Sequence, residues 1–241
     1  MVDQLYPEIG LAAVELLERH GADVVFLDGQ TCCGQPAFNA GYRKDAREIA
    51  RHFLDVFWPP LEQKRIDAIV APSGSCIAMV KNHYPILFAK EHPDQYLQRA
   101  LDVAAVSYEL TQYIVDVLGV VDVGARFPGK LAYHPCCHLL RELKVDAQPR
   151  ALLANLHEAE VVDLPNSDEC CGFGGLFALK NAEISTAIGR RKVRNIEASG
   201  AEVTVVNDVS CMTHLNGLLK HEGKPQRVRH IVELLSDRGT E

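Results

Sequence analysis

An α/β fold made of two pseudo-repeated halves, each a parallel sheet covered by helices, is what the sequence predicts. Helical and strand periodicities alternate along the chain. Each half then places a vicinal cysteine pair after a strand, and each pair acquires a further cysteine at a matched distance. Cys32-Cys33-Gly34 is answered by Cys76, 43 residues after Cys33, and Cys170-Cys171-Gly172 by Cys211, 40 residues after Cys171. Alternating strands and helices with right-handed crossovers make Rossmann-like halves. Such sheets gather ligands at the carboxyl ends of their strands, where all the cysteine loops fall.

In chain order, Ile9, Ala13, Leu16, Leu17 and His20 share one face of a helix that Gly21 can end, and Ala22 to Leu27 reads as a strand running into Cys32-Cys33. Tyr42, Ala46, Ile49, Ala50, Phe53 and Phe57 mark a second helix, broken at Trp58-Pro59-Pro60. A strand over 66–71 delivers Pro72-Ser73-Gly74-Ser75-Cys76. Residues 91–104 read as a polar helical connector, and Ser107 as the N-cap of a helix through Leu110, Ile114, Val117 and Leu118 to Gly119. Val120 to Gly129 is the expected boundary, dividing a first half-domain, 1–124, from a second, 125–241.

The second half repeats the plan. Lys130 to Tyr133 is a short strand ending at His134-Pro135-Cys136-Cys137-His138, a helix runs through Leu152, Leu153 and Leu156, and Glu160 to Leu164 leads to Cys170-Cys171. A helix over 180–199, with Ile184, Ala187, Ile188 and Ile196 facing inward, stops at Gly200. Ala201 to Val206 is the last expected strand and leads to Cys211, and a final helix carries Val228, Ile231, Val232 and Leu235. The duplication is unequal. Cys137 precedes Cys170 by 33 residues, and the same offset from Cys32 falls before Met1. The repeat therefore predicts a strand and a cysteine upstream of residue 1, and leaves the first site one thiolate short.

Composition narrows the chemistry. With 241 residues, 47% of them hydrophobic, the chain can bury one large core or two small ones. A formal net charge of -7, and no basic run interleaved with aromatics, argues against nucleic acid as a partner. Apolar runs such as Ala68 to Ala71 fall far short of the roughly 18 residues of a membrane span, and Met1-Val2-Asp3-Gln4 opens no signal peptide, so a cytoplasmic protein is expected. Eight cysteines in such a chain point to metal or redox chemistry rather than to a disulfide framework.

Gln30-Thr31-Cys32-Cys33-Gly34-Gln35-Pro36-Ala37-Phe38-Asn39-Ala40-Gly41, Pro72 to Cys76, His134 to Lys144, Cys170 to Phe177 and Asp208 to Cys211 resemble the cysteine-rich CCG-domain proteins, specifically the lactate utilization protein A family. More distantly the chain is similar to the B subunit of heterodisulfide reductase and the iron-sulfur subunit of glycolate oxidase. The resemblance spans essentially the whole chain. It implies one or two iron-sulfur clusters, electron transfer in L-lactate oxidation, and partner subunits that include a ferredoxin-type iron-sulfur protein. Two departures stand out: the family's upstream Thr-Cys has no counterpart here, and its longer Cys-x-x-Cys ending is replaced by Cys211-Met212-Thr213-His214 and Cys76-Ile77-Ala78-Met79.

Iron-sulfur clusters need thiolates converging from several directions, with glycines letting the backbone turn tightly around them. Cys137, Cys170, Cys171 and Cys211 would supply four thiolates to one cluster, and Cys32, Cys33 and Cys76 three to the other. Cys136 reads as an extra packing thiol, with ligation as its alternative. His214 would face the same metal as Cys211 or serve a helix end or solvent, and His134 and His138 would donate hydrogen bonds around the centre or be ordinary loop histidines. Two other classes use the same residues. Three cysteines and a histidine suit a zinc-binding interaction module, and a low-pKa thiol suits a thiol enzyme, although no Cys-x-x-Cys is present.

Overall fold

Two parallel sheets organise the computed structural model, which describes residues 1–89 and 95–237. In the first, β1 (Ile69–Ala71) pairs with β2 (Ser107–Glu109). In the second, β3 (Arg126–Tyr133), β4 (His157–Val162), β5 (Val203–Val206) and β6 (Arg227–His230) lie in the order β4-β3-β5-β6. All four residues of the central β5 are buried, as a strand covered on both faces requires, and Leu131 of β3 stands between Val161 of β4 and Val203 of β5. Cys76 follows β1, Cys136 and Cys137 follow β3, Cys170 and Cys171 follow β4, and Cys211 follows β5. Six of the eight cysteines therefore stand beyond the carboxyl ends of parallel strands, as the alternation of elements predicts, while Cys32 and Cys33 follow residues that form no strand.

The helix Pro7–Arg19 buries the expected Ile9, Ala13, Leu16 and Leu17, packing on the C-terminal helix Ile231–Leu235 and joining the core that the four-stranded sheet contributes to. Arg19 Nη2 donates to the Leu235 carbonyl at 3.1 Å. A second core joins Phe38, Ala46, Ala50, Leu54 and Phe57 to Met79, Tyr84, Leu87, Phe88 and Val103. Each such large side chain stabilises the fold by about 1.5 to 3 kcal/mol. Among the described residues no helix is long and apolar enough to cross a membrane.

Several elements differ from expectation. Residues 22–27 form no ladder, and Val25 and Phe26 are exposed. Their counterpart in the repeat, β4, is an edge strand held by β3, and among the described residues none plays the part of β3 for the first half. The helix Arg43–Glu62 runs through Pro59 and Pro60 instead of breaking there. The prolines have no N–H to donate to the turn before them, but the helix ends within three residues and their carbonyls accept from Gln63 and Arg65 at 3.0 and 2.9 Å. Ser107 opens β2 rather than capping a helix, and Glu109 caps instead, accepting from the Thr111 and Gln112 amides. Val228 sits in β6, where the alternation of Arg227, Val228 and Arg229 is that of a strand, so the final helix begins only at Ile231 and β5 is not the last strand. Of the connector over 91–104, residues 91–94 lie outside the described residues, and Gln95–Ala105 is helical.

Candidate metal centre

In the second half, Cys171 Sγ and Cys211 Sγ stand 3.0 Å apart. With a ring nitrogen of His134 they form a buried group whose ligand atoms all lie within 4.8 Å of one another. Cys136, also buried, touches Cys211, while Cys170 touches both Cys137 and Cys171. The thiols thus run continuously from Cys137 through Cys170, Cys171 and Cys211 to Cys136. Cys170 is held far below the ordinary thiol range by hydrogen bonds from Cys137 and Cys171, with the Gly172 amide adding another at 3.3 Å. The donors are correspondingly pushed up, Cys137 and Cys171 by Cys170, and Cys211 by Cys136. Soft thiolates with an imidazole favour a thiophilic metal such as zinc or the iron of a cluster, and binding one displaces these shared protons.

The helix Ala182–Ser199 builds the wall behind this loop. Its buried face is Ser185, Gly189, Lys192, Val193 and Ile196. Ile196 is inward as expected, but Ile184 and Ala187 are exposed and Ile188 is half-buried. The cause is close approach of the cysteine loop: Gly172 has φ +95°, and a Cβ there would meet the Ser185 carbonyl at 2.6 Å, while one on Gly189 would lie 3.3 Å from the Cys171 carbonyl. Small residues at 185 and 189 let the two backbones meet. Ser185 Oγ donates to the Gly172 carbonyl at 2.8 Å.

One turn on, the fully buried Lys192 donates through Nζ to the carbonyls of Asn166 (2.6 Å) and Ser167 (3.2 Å), tying down the segment before Cys170. The Ser167 carbonyl also accepts from His134 Nδ1 at 3.0 Å. Burial, and then the Lys192 charge, hold His134 down to about 4, so it is neutral at physiological pH. His214 turns its ring against Gly172 and Gly189 and stands edge-on to Phe173, outside the group formed by His134, Cys171 and Cys211. His138 places Nδ1 3.6 Å from Cys137 Sγ and Nε2 3.6 Å from Glu142 Oε1.

The first-half thiols are sparser. Cys33 touches Cys32 and Cys76, and the described residues bring no histidine or carboxylate ligand into a compact group with them. Cys32 is lowered to about 6, chiefly by a hydrogen bond from Cys33, with the Gly34 amide 3.4 Å from its sulfur. Cys76 lies in the first turn of the helix Gly74–Ala78, where Ser73 Oγ accepts its amide.

A buried carboxylate joins the two sites. Asp208 Oδ2 accepts from the Ser75 amide at 3.0 Å, and Oδ1 accepts from Ser210 Oγ at 2.9 Å, so one side chain spans the Cys76 and Cys211 loops. His230 Nε2 donates to the Pro72 carbonyl at 3.1 Å alongside it. Beneath, Asn207 donates to Glu109 Oε1 and accepts from the Tyr133 hydroxyl, joining β2, β3 and β5. Sequence reasoning passed over Asp208 and Lys192, yet each left a signal. Asp208 precedes Cys211 by the same three residues that separate the cap Ser73 from Cys76, and Lys192 falls at helical spacing from Ser185 and Gly189.

A family described as the cysteine-rich CCG domain matches residues 1–81 and 131–216. All eight cysteines fall within those two stretches. The chain belongs to the cysteine-rich CCG-domain family. Members named lactate utilization protein A match nearly the full length: that of an Exiguobacterium species is 45% identical over 98% of this chain and 93% of its own. Those of Anoxybacillus flavithermus and Geobacillus kaustophilus are each 44% identical over 99% of this chain and 96% of their own. The CCG signature thus corresponds to a physical device in this chain: Gly34 and Gly172 both adopt positive φ directly after a cysteine pair, and each presents its amide to the first sulfur of that pair.

Proposed function

We propose that this CCG-domain chain is the iron-sulfur, electron-transferring component of an L-lactate oxidation system. It works in the cytoplasm with other subunits, among them a ferredoxin-type iron-sulfur protein. The observation that carries the proposal is the continuous set of second-half thiols, Cys137, Cys170, Cys171 and Cys211, in a chain whose relatives are named for lactate utilization. When bound, a [4Fe-4S] cluster takes up and returns single electrons. Cys137, Cys170, Cys171 and Cys211 would hold it, and Cys32, Cys33 and Cys76 would offer three thiolates at the other site, one site to each of the half-domains 1–124 and 125–241. Asp208 keeps the two sets of loops in fixed relation, which favours passage of electrons between them.

A second reading is a zinc-binding interaction module, favoured by the mixed sulfur and nitrogen donors of Cys171, Cys211 and His134. Iron, zinc and acid-labile sulfide analysis of anaerobically purified protein separates the two. The proposal expects brown protein with iron and sulfide in similar amounts, reduced by Cys171→Ala and, to the extent the first site loads, by Cys33→Ala. Colourless, folded protein with stoichiometric zinc and no sulfide would establish the second reading instead.

A further inference from the structure

We propose that His134 supplies a nitrogen ligand, through Nε2, to the second-half metal centre, making it a mixed cysteine and histidine site. The inference rests on the metal-centre reading above and specifies its ligand set. His134 is fully buried, and one of its ring nitrogens shares a group with Cys171 Sγ and Cys211 Sγ in which all ligand atoms are within 4.8 Å. Its two nitrogens are not equivalent. Nδ1 is 3.0 Å from the Ser167 carbonyl, and a carbonyl can only accept, so Nδ1 carries the ring hydrogen. Nε2 then bears the lone pair. It is buried and has no hydrogen-bond partner.

A buried acceptor left unpaired costs free energy, and native structures rarely retain one without a use. Two features hold the ring in this tautomer. Lys192 fixes the acceptor, since its ammonium donates to the same Ser167 carbonyl, and the segment carrying Ser167 leads directly to Cys170 and Cys171. An imidazole that stands beside thiols with one nitrogen pinned to a carbonyl and the other unpartnered is the arrangement by which proteins orient metal-binding histidines. His138 does not share it, since its nitrogens lie near Cys137 and Glu142. His214 also has a buried Nε2 without a hydrogen-bond partner, but its ring faces the glycine backbones and stands outside the compact group of His134, Cys171 and Cys211.

For the iron-sulfur reading, His134 would hold one iron in place of one of the four thiolates named above, and the consequence is a raised reduction potential, because exchanging thiolate for neutral imidazole removes negative charge from the centre. A chain that collects electrons from a substrate oxidation gains driving force from that shift.

Cobalt(II) tests the ligand without presupposing a cluster. It is added anaerobically to metal-stripped protein, and the fine structure above the cobalt X-ray absorption edge, which arises from backscattering of the ejected photoelectron, reads the ligand shell. The expected shell contains sulfur and one imidazole, whose outer-ring scattering is lost in His134→Gln and kept in His138→Ala and His214→Ala. Should His134→Gln fail to fold, the wild type and the other two variants still decide, because loss of the imidazole signal in either one assigns it elsewhere. An all-sulfur shell, no cobalt uptake, or an imidazole signal surviving in folded His134→Gln overturns the proposal. Failure of the iron-sulfur reading appears separately, as absence of iron and sulfide from the isolated protein. Where iron is present, His134→Cys should keep the cluster and lower its potential.

Discussion

Cys32 shows how much of this chemistry sits in single residues. It alone among the eight cysteines is exposed, and the hydrogen bond from Cys33, helped by the Gly34 amide, lowers it to about 6. An unassisted thiol titrates near 8.5, so at pH 7 most of Cys32 is thiolate while an ordinary cysteine is only a few per cent ionised. In metal-free protein Cys32 should therefore be the first cysteine alkylated by iodoacetamide, with a rate that rises through a midpoint near pH 6. Peptide mapping after brief labelling checks this. Labelling that begins at Cys170 or Cys76, or a midpoint at the ordinary thiol value, would sink the argument. The vicinal pairs were legible as a site because spacing survives in sequence. Which member of a pair carries the charge was not, because it depends on whose amide and whose thiol point at it.

At the scale of elements, the helix Ala182–Ser199 explains both what could be read and what could not. Its existence and its stop at Gly200 follow from periodicity and a left-handed cap, with Gly200 at φ +69°. Its inward face does not. Hydrophobic spacing selects Ile184, Ala187 and Ile188, but the first half of the helix packs against a backbone loop, and contact of that kind selects Ser185 and Gly189, while Val193 and Ile196 further on enter the side-chain core. β2 and β6 were hard to read for another reason, being only three and four residues long and rich in polar groups. The close approach predicts a large effect from one methyl group. Gly172→Ala must place a Cβ 2.6 Å from the Ser185 carbonyl and hold alanine at φ +95°, and it should destabilise the protein by about 2 to 4 kcal/mol and weaken metal uptake. Gly200→Ala, in the left-handed cap at φ +69° and ψ 9° with nothing within 4 Å of the added carbon, should cost only about 1 to 2 kcal/mol. Urea unfolding of both variants measures the difference, and equal losses would show that backbone conformation alone, not contact with the helix, sets the position of Gly172.

Across the whole molecule, the two cysteine sites are joined through buried polar groups, and these should set the acid stability of the metal-free protein. His134 and His230 are fully buried, and burial holds each down to about 4, with Lys192 adding to the effect at His134. In the unfolded chain a histidine titrates near 6.5. Between pH 6.5 and 4 the unfolded state therefore binds two protons that the folded state refuses. Stability contributed by these residues is complete above pH 6.5 and is lost as pH falls, by up to about 3 kcal/mol for each histidine. Glu109 acts in the opposite sense, because burial raises it above its ordinary value and protonation on the way down favours the fold, offsetting part of the loss. The two histidines stand at different places in one seam: His134 beside Cys171 and Cys211, His230 on the Pro72 carbonyl that leads into the Cys76 loop. Because the helix Pro7–Arg19 shares the core of the second half and packs on its C-terminal helix, loosening this seam should not release an independent half, and a single cooperative transition is expected at each pH. Urea unfolding free energies at pH 7, 6 and 5 should decline steadily, and His230→Gln, if folded, should remove roughly half of the decline. A flat profile from pH 7 to 5 would mean that the buried histidines gain protons in the fold without penalty, which their burial away from solvent forbids.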